Sequence, residues 1–381
     1  MKKIILSLVL ILTAIFQNIA SAADYNSVDW DRAPHFNNTA DFANYVRECA
    51  KNCQSSIPAI FDNGSFVEAG EVIKIYKNTN AASCTRWTNN RDRSVRVLYE
   101  LNVYPGARVE YAYRTGNTSI LTNEERKLYN IAVEIVREAK RQPNSLLKEY
   151  YIHEKITERV TYYNLQGGSE TSRHLTAIGA LIDGKANCQG YTDAFYMLGR
   201  MAGLNVGRMS GNAAGGPHAW NTIEFGDGRY YGVDVTFDDA SFRFAGSGEY
   251  NNYIYFNAPL EIMTATHSWE AAYNPAIYPK IDSRYFYCTP EFQKSDGKYF
   301  AFHSKTAEDA LGYIAQRIAK QGYRLSWGMA PYNSKYANLN FSIDRLTKEI
   351  LPRRYSWYGQ IKMSVVHRGN WLFYIVDATK S

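Results

Sequence analysis

The spacing of apolar residues divides the chain into three stretches. From Thr39 to Asn52, Phe42, Tyr45, Val46 and Cys49 recur at helical intervals, with Thr39 as the expected N-cap. The runs SSIPAIFD, SVRVLYELN and ARVEYAYRTG then read as strands, the last two parted by a turn at Pro105-Gly106. In the middle, LTNEERKLYNIAVEIVREAKRQ predicts a helix capped by Thr122, with Glu125 three residues on. SLLKEYYIHEKITERVTYY, RHLTAIGALIDGK and CQGYTDAFYMLGRMAGL predict further helices. HAWNTIEF and RYYGVDVTFD then alternate apolar and polar residues around Gly226-Asp227-Gly228, as an antiparallel hairpin does. Near the other end the early order returns. TAEDALGYIAQRIAKQ is a helix from Thr306, YRLSWGM a strand, and GQIKMSVVHRGNWLFYIVD a hairpin turning at Arg368-Gly369-Asn370.

Helices followed by strands predict an α+β core, its sheet packed on the helix that begins at Cys188. Small α+β modules of similar pattern flank it. The expected boundaries are 1–22 for a leader, 23–118 for the first module, 119–290 for the core and 291–381 for the last module.

The leader is read from MKKIILSLVLILTAIFQNIASA. Lys2 and Lys3 precede an apolar run from Ile4 to Phe16, and Ala20-Ser21-Ala22 offers a small-residue cleavage site. A secreted, periplasmic or cell-envelope protein without stable membrane insertion is expected, its mature chain starting near Ala23. A hydrophobic content of 45% with 21% charged residues fits a globular protein with a sizeable core. The net charge of +6 is spread along the chain without dense basic runs, which argues against nucleic acid as a partner.

Export makes the five cysteines informative. Cys49, Cys53, Cys84 and Cys288 could form two bridges, of unspecified connectivity. Cys49 and Cys53 stand at helical i, i+4 spacing, a poor geometry for bonding each other. An odd count leaves at least one free thiol, and parity favours Cys188.

Cys188 follows Gly184-Lys185-Ala186-Asn187 and occupies the first turn of its expected helix. Unpaired N–H groups and the positive end of the helix dipole stabilise a thiolate there, and the N–H of Cys188 is placed to hold an oxyanion. A cysteine nucleophile needs a base, and the base an orienting acceptor. His218 precedes one strand of the hairpin and Asp234 lies on the return strand. They share a face for any loop of odd length, and stand directly opposite if the hairpin is symmetric about Gly226. Trp220, two residues from His218 on the same strand face, packs beside the pair. No Cys-x-x-Cys or His-x-x-x-His pair occurs, so no metal and no organic cofactor is expected. His35, His153, His174, His267, His303 and His367 are scattered, and none is assigned a catalytic task.

GALIDGKANCQGYTDAFYMLGRMAGL together with HAWNTIEFGDGRYYGVDVTFDD resembles the core of the transglutaminase-like superfamily, in its bacterial exported branch. The resemblance covers about residues 125–275, including IHEKITERVTYY and YIYFNAPLEIMTATHSW. It implies a papain-like α+β fold and a triad of Cys188, His218 and Asp234, acting on a carboxamide or peptide carbonyl through a thioester, with water or an amine as acceptor. A protein or peptide substrate, cell-wall peptide included, is expected, with hydrolysis favoured over cross-linking because bulk water is the default acceptor and no amine pocket is legible in the sequence. A second oxyanion donor often comes from upstream, where Tyr162 or Tyr163 is nearest. Asn187 and Phe237 depart from the common pattern without removing a catalytic atom. A catalytically inactive envelope scaffold is the alternative the same fold allows.

Overall fold

The structure is a computed structural model that describes residues 25–89, 91–163, 172–239, 253–269, 281, 306–321, 325–368 and 370–380. The expected leader lies outside these residues, as do Cys288 and His303. Among the described residues, no helix is long and apolar enough to cross a membrane. The chain divides into two compact units, Met1–Tyr111 and Ala112–Ser381.

The first unit opens with β1 (His35–Phe36) and α1 (Thr39–Lys51). Asn38, rather than Thr39, is the N-cap of α1, its side chain accepting the Asp41 N–H. Then come β2 (Ser56–Phe61), α2 (Ala69–Tyr76), β3 (Thr79–Thr88) and β4 (Val95–Val103), in a sheet of order β1-β2-β4-β3. The stretch after Pro105, expected to be a strand, is instead the helix α3 (Pro105–Thr115). Proline at the first helical position lacks only an N–H that would go unpaired there. Val109 and Ala112 are fully buried one turn apart. Alternate residues of the sheet go to two cores: Ile57, Ala59, Val97 and Tyr99 pack with Phe42 and Val46, whereas Ile60 and Leu98 pack with Trp30. Cys49, Cys53 and Cys84 carry no disulfide. Cys49 and Cys53 lie within the first of these cores, where a thiol packs as a small apolar group.

In the second unit, α4 (Asn123–Lys140) starts with a complete capping box. Thr122 Oγ1 accepts the Glu125 N–H (3.2 Å), and Glu125 Oε2 accepts the Thr122 N–H (2.8 Å). Next come α5 (Ser145–Thr157), the short parallel pair β5 (Thr161–Tyr162) and β6 (Lys185–Ala186), and α6 (Cys188–Met201). The stretch expected to be one helix before Gly184 is two separate pieces, a 3₁₀ turn at Ser172–Leu175 and a wide turn at Gly179–Asp183. Arg173 clamps them by bonding both Asp183 and Glu124. The strands β7 (Asn205–Ala213), β8 (Gly216–Glu224), β9 (Tyr230–Val233) and β10 (His267–Ser268) form an antiparallel sheet of order β10-β7-β8-β9. The short helices α7 (Val235–Asp238) and α8 (Leu260–Thr264) precede β10. Helix α6 packs on β7 and β8, so the core is an α+β layer with helices on an antiparallel sheet.

The C-terminal part carries α9 (Ala307–Gln321), β11 (Leu325–Pro331), a helical stretch within Ser334–Tyr355, and the hairpin β12 (Gly359–Arg368) and β13 (Trp371–Lys380). The sheet order is β11-β13-β12. On β13, Leu372, Tyr374, Val376 and Ala378 face the α9 core, while Trp371 and Phe373 join a core with Met209 and Trp220. This part repeats the topology of the first unit. In both, helix, strand, helical segment, strand and strand follow in order, and the last strand pairs antiparallel between the other two.

Candidate active site

Gly184, in the left-handed region at φ +69°, ends the turn before β6 and aims the chain into α6. Asn187 is the N-cap, its side chain accepting the N–H groups of Gln189 (3.0 Å) and Gly190 (3.4 Å). The cap does not consume the N–H of Cys188. A Cβ on Gly190 would lie 2.7 Å from the His174 carbonyl oxygen and 3.0 Å from that of Thr176, so only glycine lets this first turn lie on that backbone. Cys188 itself is half-buried and unbridged.

His218 sits on β8 opposite Gly211 of β7 and is 8% exposed. Strand β9 ends at Val233, and Asp234 is the N-cap of α7 rather than a strand residue. The β8–β9 loop is odd in length, residues 225–229, but the pairing is symmetric about Asp227, not Gly226. Asp234 therefore lies past the last ladder pair and reaches back to His218 instead of facing it. The Asp234 N–H donates to Tyr255 O (3.1 Å), and its Oδ1 accepts the Phe237 N–H (3.1 Å). His218 Nε2 lies 2.6 Å from Oδ2.

These contacts settle the tautomer. Burial would raise the Asp234 carboxyl, but the His218 charge and the hydrogen bonds from His218 and His267 hold it well below the usual carboxylate range. An ionised carboxylate only accepts, so His218 carries its hydrogen on Nε2. His218 also hydrogen-bonds Cys188, which falls to Nδ1, the ring nitrogen that Asp234 leaves open. Burial opposes a charge on this imidazole; the Asp234 carboxylate, and after it Cys188, outweigh burial and push it up to about 10.

His267, one of the scattered histidines with no expected task, also bonds Asp234. Its Nε2 lies 2.9 Å from the same Oδ2, and Thr266 Oγ1 lies 2.9 Å from its Nδ1. Nothing local in the sequence marks it. Strand β10 brings it in by pairing His267 with Ala213 of β7. His218 Nε2, Asp234 Oδ2 and His267 Nε2 are the kinds of atom that bind a metal, and all lie within 4.8 Å of one another. Ligands at about 2.0–2.1 Å from one tetrahedral zinc stand roughly 3.3 Å apart. The 2.6 Å and 2.9 Å separations are those of hydrogen bonds.

Residues 130–235, which include Cys188, His218 and Asp234, match the transglutaminase-like superfamily. They belong to that superfamily. No curated protein matches the chain. Among solved structures, a TGase is 15% identical with a TM-score of 0.29, over 65% of this chain and 64% of that one, just under two thirds of its length. The periplasmic domain of TgpA from Pseudomonas aeruginosa is 14% identical with a TM-score of 0.26, over 45% of this chain and 67% of that one.

In the transglutaminase-like core, Trp220 is fully buried, stacked on His218 at 6.0 Å and edge-on to His267 at 4.8 Å. Tyr163 lies against the ring of His174 (4.3 Å) and Tyr162 faces Tyr191 (6.4 Å). A second buried cluster lies behind α7. His153 Nε2 is 3.3 Å from Asp238 Oδ2, and Asn257 Nδ2 donates to Glu149 Oε2 (2.8 Å). Burial pushes the Glu149 carboxyl up to about 8, against the Asn257 hydrogen bond and the His153 charge. A carboxyl raised on folding stabilises fully below its unfolded value, and that contribution is lost as pH rises through the folded one. Glu149→Gln, which cannot ionise, should therefore flatten the fall in melting temperature between about pH 4.5 and 8. A variant melting curve that tracks wild type across this range would refute the assignment.

Proposed function

We propose that the chain is an exported cysteine-dependent acyl-transfer enzyme acting on amide or peptide bonds of protein or cell-envelope substrates. The observation that carries this reading is His218, hydrogen-bonded at once to Cys188 and to Asp234. In this mechanism Cys188 and His218 rest as a thiolate–imidazolium pair, and Sγ of Cys188 adds to the carbonyl carbon. The N–H of Cys188 stabilises the oxyanion. The imidazolium then gives its proton to the departing amine, leaving a thioester. Water attacks the thioester, its proton passing to Nδ1, and the acid leaves with Cys188 restored. Asp234 keeps Nε2 protonated and the ring oriented throughout. Water is the favoured acceptor because it needs no dedicated pocket.

Iodoacetamide at pH 6, with the label mapped by mass spectrometry, tests the reading. Burial pushes Cys49 up to about 11 and also raises Cys84, so both should label slowly. Fast labelling confined to Cys188, lost in His218→Ala, is the expected result. Sluggish labelling of Cys188, unchanged in His218→Ala, would support an inactive scaffold instead. Comparing cell-envelope extracts treated with wild type and with Cys188→Ala would then identify the substrate.

A further inference from the structure

Two imidazoles share one oxygen of Asp234, and only one of them is used by the mechanism above. His267 is 2% exposed and boxed by the rings of Trp220, Phe237 and Tyr255, with centroids at 4.8, 4.9 and 5.3 Å. A buried polar side chain in an aromatic box costs free energy unless it is bonded, and its partners are Asp234 and Thr266. The carboxylate accepts only, so His267 donates from Nε2 to Oδ2. Asp234 thus receives three hydrogen bonds: Phe237 N–H on Oδ1, and His218 and His267 on Oδ2.

We propose that His267 is a positioning residue, whose N–H fixes the Asp234 carboxylate and limits how tightly that carboxylate holds the proton of His218. The inference rests on the acyl-transfer reading and extends it. An imidazole that must both accept and release a proton is slowed if its carboxylate partner holds the proton too firmly. A second donor on the same oxygen divides the acceptor's charge between two N–H groups. The imidazolium of His218 is then stabilised enough to form and not so strongly that it cannot discharge. Other ionisable groups act on this pair: Cys188 from α6 on His218, and Asp238 and Tyr255, which interact with Asp234. None of these donates to Oδ2 among the described contacts.

The test uses the full chain and two reagents, iodoacetamide and p-nitrophenyl acetate. With the ester, Sγ of Cys188 bonds the acetyl carbon as p-nitrophenolate leaves. Water then displaces the sulfur, passes its proton to His218, and acetate departs. His267→Phe keeps an aromatic ring and removes the donor. His267→Gln keeps an N–H near the place of Nε2. In His267→Phe the pH midpoint of Cys188 alkylation should fall by about 0.5–1 unit, because Asp234 now supports the imidazolium undivided. Steady-state ester turnover should nevertheless drop about tenfold in kcat, with KM falling alongside and the burst retained, because deacylation needs the free base. His267→Gln should restore both to within about twofold of wild type. Mere damage to packing would not make the thiol easier to alkylate while slowing turnover.

An unchanged midpoint and kcat in His267→Phe, or equal losses in His267→Phe and His267→Gln, would overturn the inference alone. A wild-type protein lacking any ester burst that Cys188→Ala abolishes would overturn the acyl-transfer reading and this inference with it. If His267→Phe does not fold, Thr266→Val decides. It removes the hydroxyl that holds the ring at Nδ1 and should move both readouts in the same directions by less, and no movement overturns the proposal.

Discussion

Replacing Asp234 by asparagine should lower ester turnover by about 10⁴-fold, the scale on which a misheld catalytic imidazole is penalised. No orientation of the amide fits the site. Oδ2 faces two N–H donors and Oδ1 faces a third, the Phe237 N–H. If the amide nitrogen replaces Oδ2, it confronts both histidines and drives His218 toward the tautomer with its hydrogen on Nδ1, which cannot take a proton from Cys188. If it replaces Oδ1, it confronts the Phe237 N–H and loses the cap of α7. The measurement is burst and steady-state kinetics with p-nitrophenyl acetate, beside a thermal melt to show that the variant is folded. A loss smaller than about tenfold in a folded variant would mean that Asp234 does not orient His218.

The second large effect concerns stability. Asp193 of α6 is fully buried, with Oδ2 accepting the Ala177 N–H (2.8 Å) and Oδ1 paired with Arg208 of β7. Arg208 also lies over the Tyr196 ring at 4.1 Å. Asp193→Ala leaves a buried guanidinium without its counter-charge and a backbone N–H without its acceptor. The expected cost is roughly 3–5 kcal/mol, and the melting temperature should fall by about 10 °C. Replacing both partners, Asp193→Leu with Arg208→Met, should cost much less, because no uncompensated charge remains. Calorimetry on the three proteins checks this, and a double variant as unstable as Asp193→Ala would show that the pair is not the source.

The elements around the site were legible because their signals are local. The Thr122 capping box, the glycine before α6 and the alternation of β8 all act within a few residues. The shared face of His218 and Asp234 followed from parity, but the shift in hairpin register did not. Side chains set that register: Glu224 Oε1 accepts the N–H groups of Gly226 and Gly228 and holds a five-residue loop, and Tyr231 OH donates to Asp227 (2.6 Å). Val109, Tyr111 and Tyr113 alternate as a strand would, yet Pro105 opens a helix there whose buried residues are one turn apart. Strand β3, TNAASCTRWT, has almost no apolar period of its own and is ordered by pairing with β4. His267 escaped for a similar reason. Its partner lies 33 residues away, and only the pairing of β10 with β7 brings the two together.

Using one topology twice in a single chain sets a hazard during folding. The slot between β2 and β3 that admits β4 has a counterpart between β11 and β12 that admits β13. A ribbon inserted into the wrong copy would find its hydrogen-bonding edges satisfied, so backbone pairing cannot reject the mistake. The linings can. The first slot is built from the rings of Phe42, Phe61 and Tyr76, the second from the aliphatic Leu311, Ile314, Leu346 and Ile350. An exchanged strand would overfill one lining and leave voids in the other, each a loss of order kcal/mol. The difference between the two linings thus disfavours strand exchange within the same molecule.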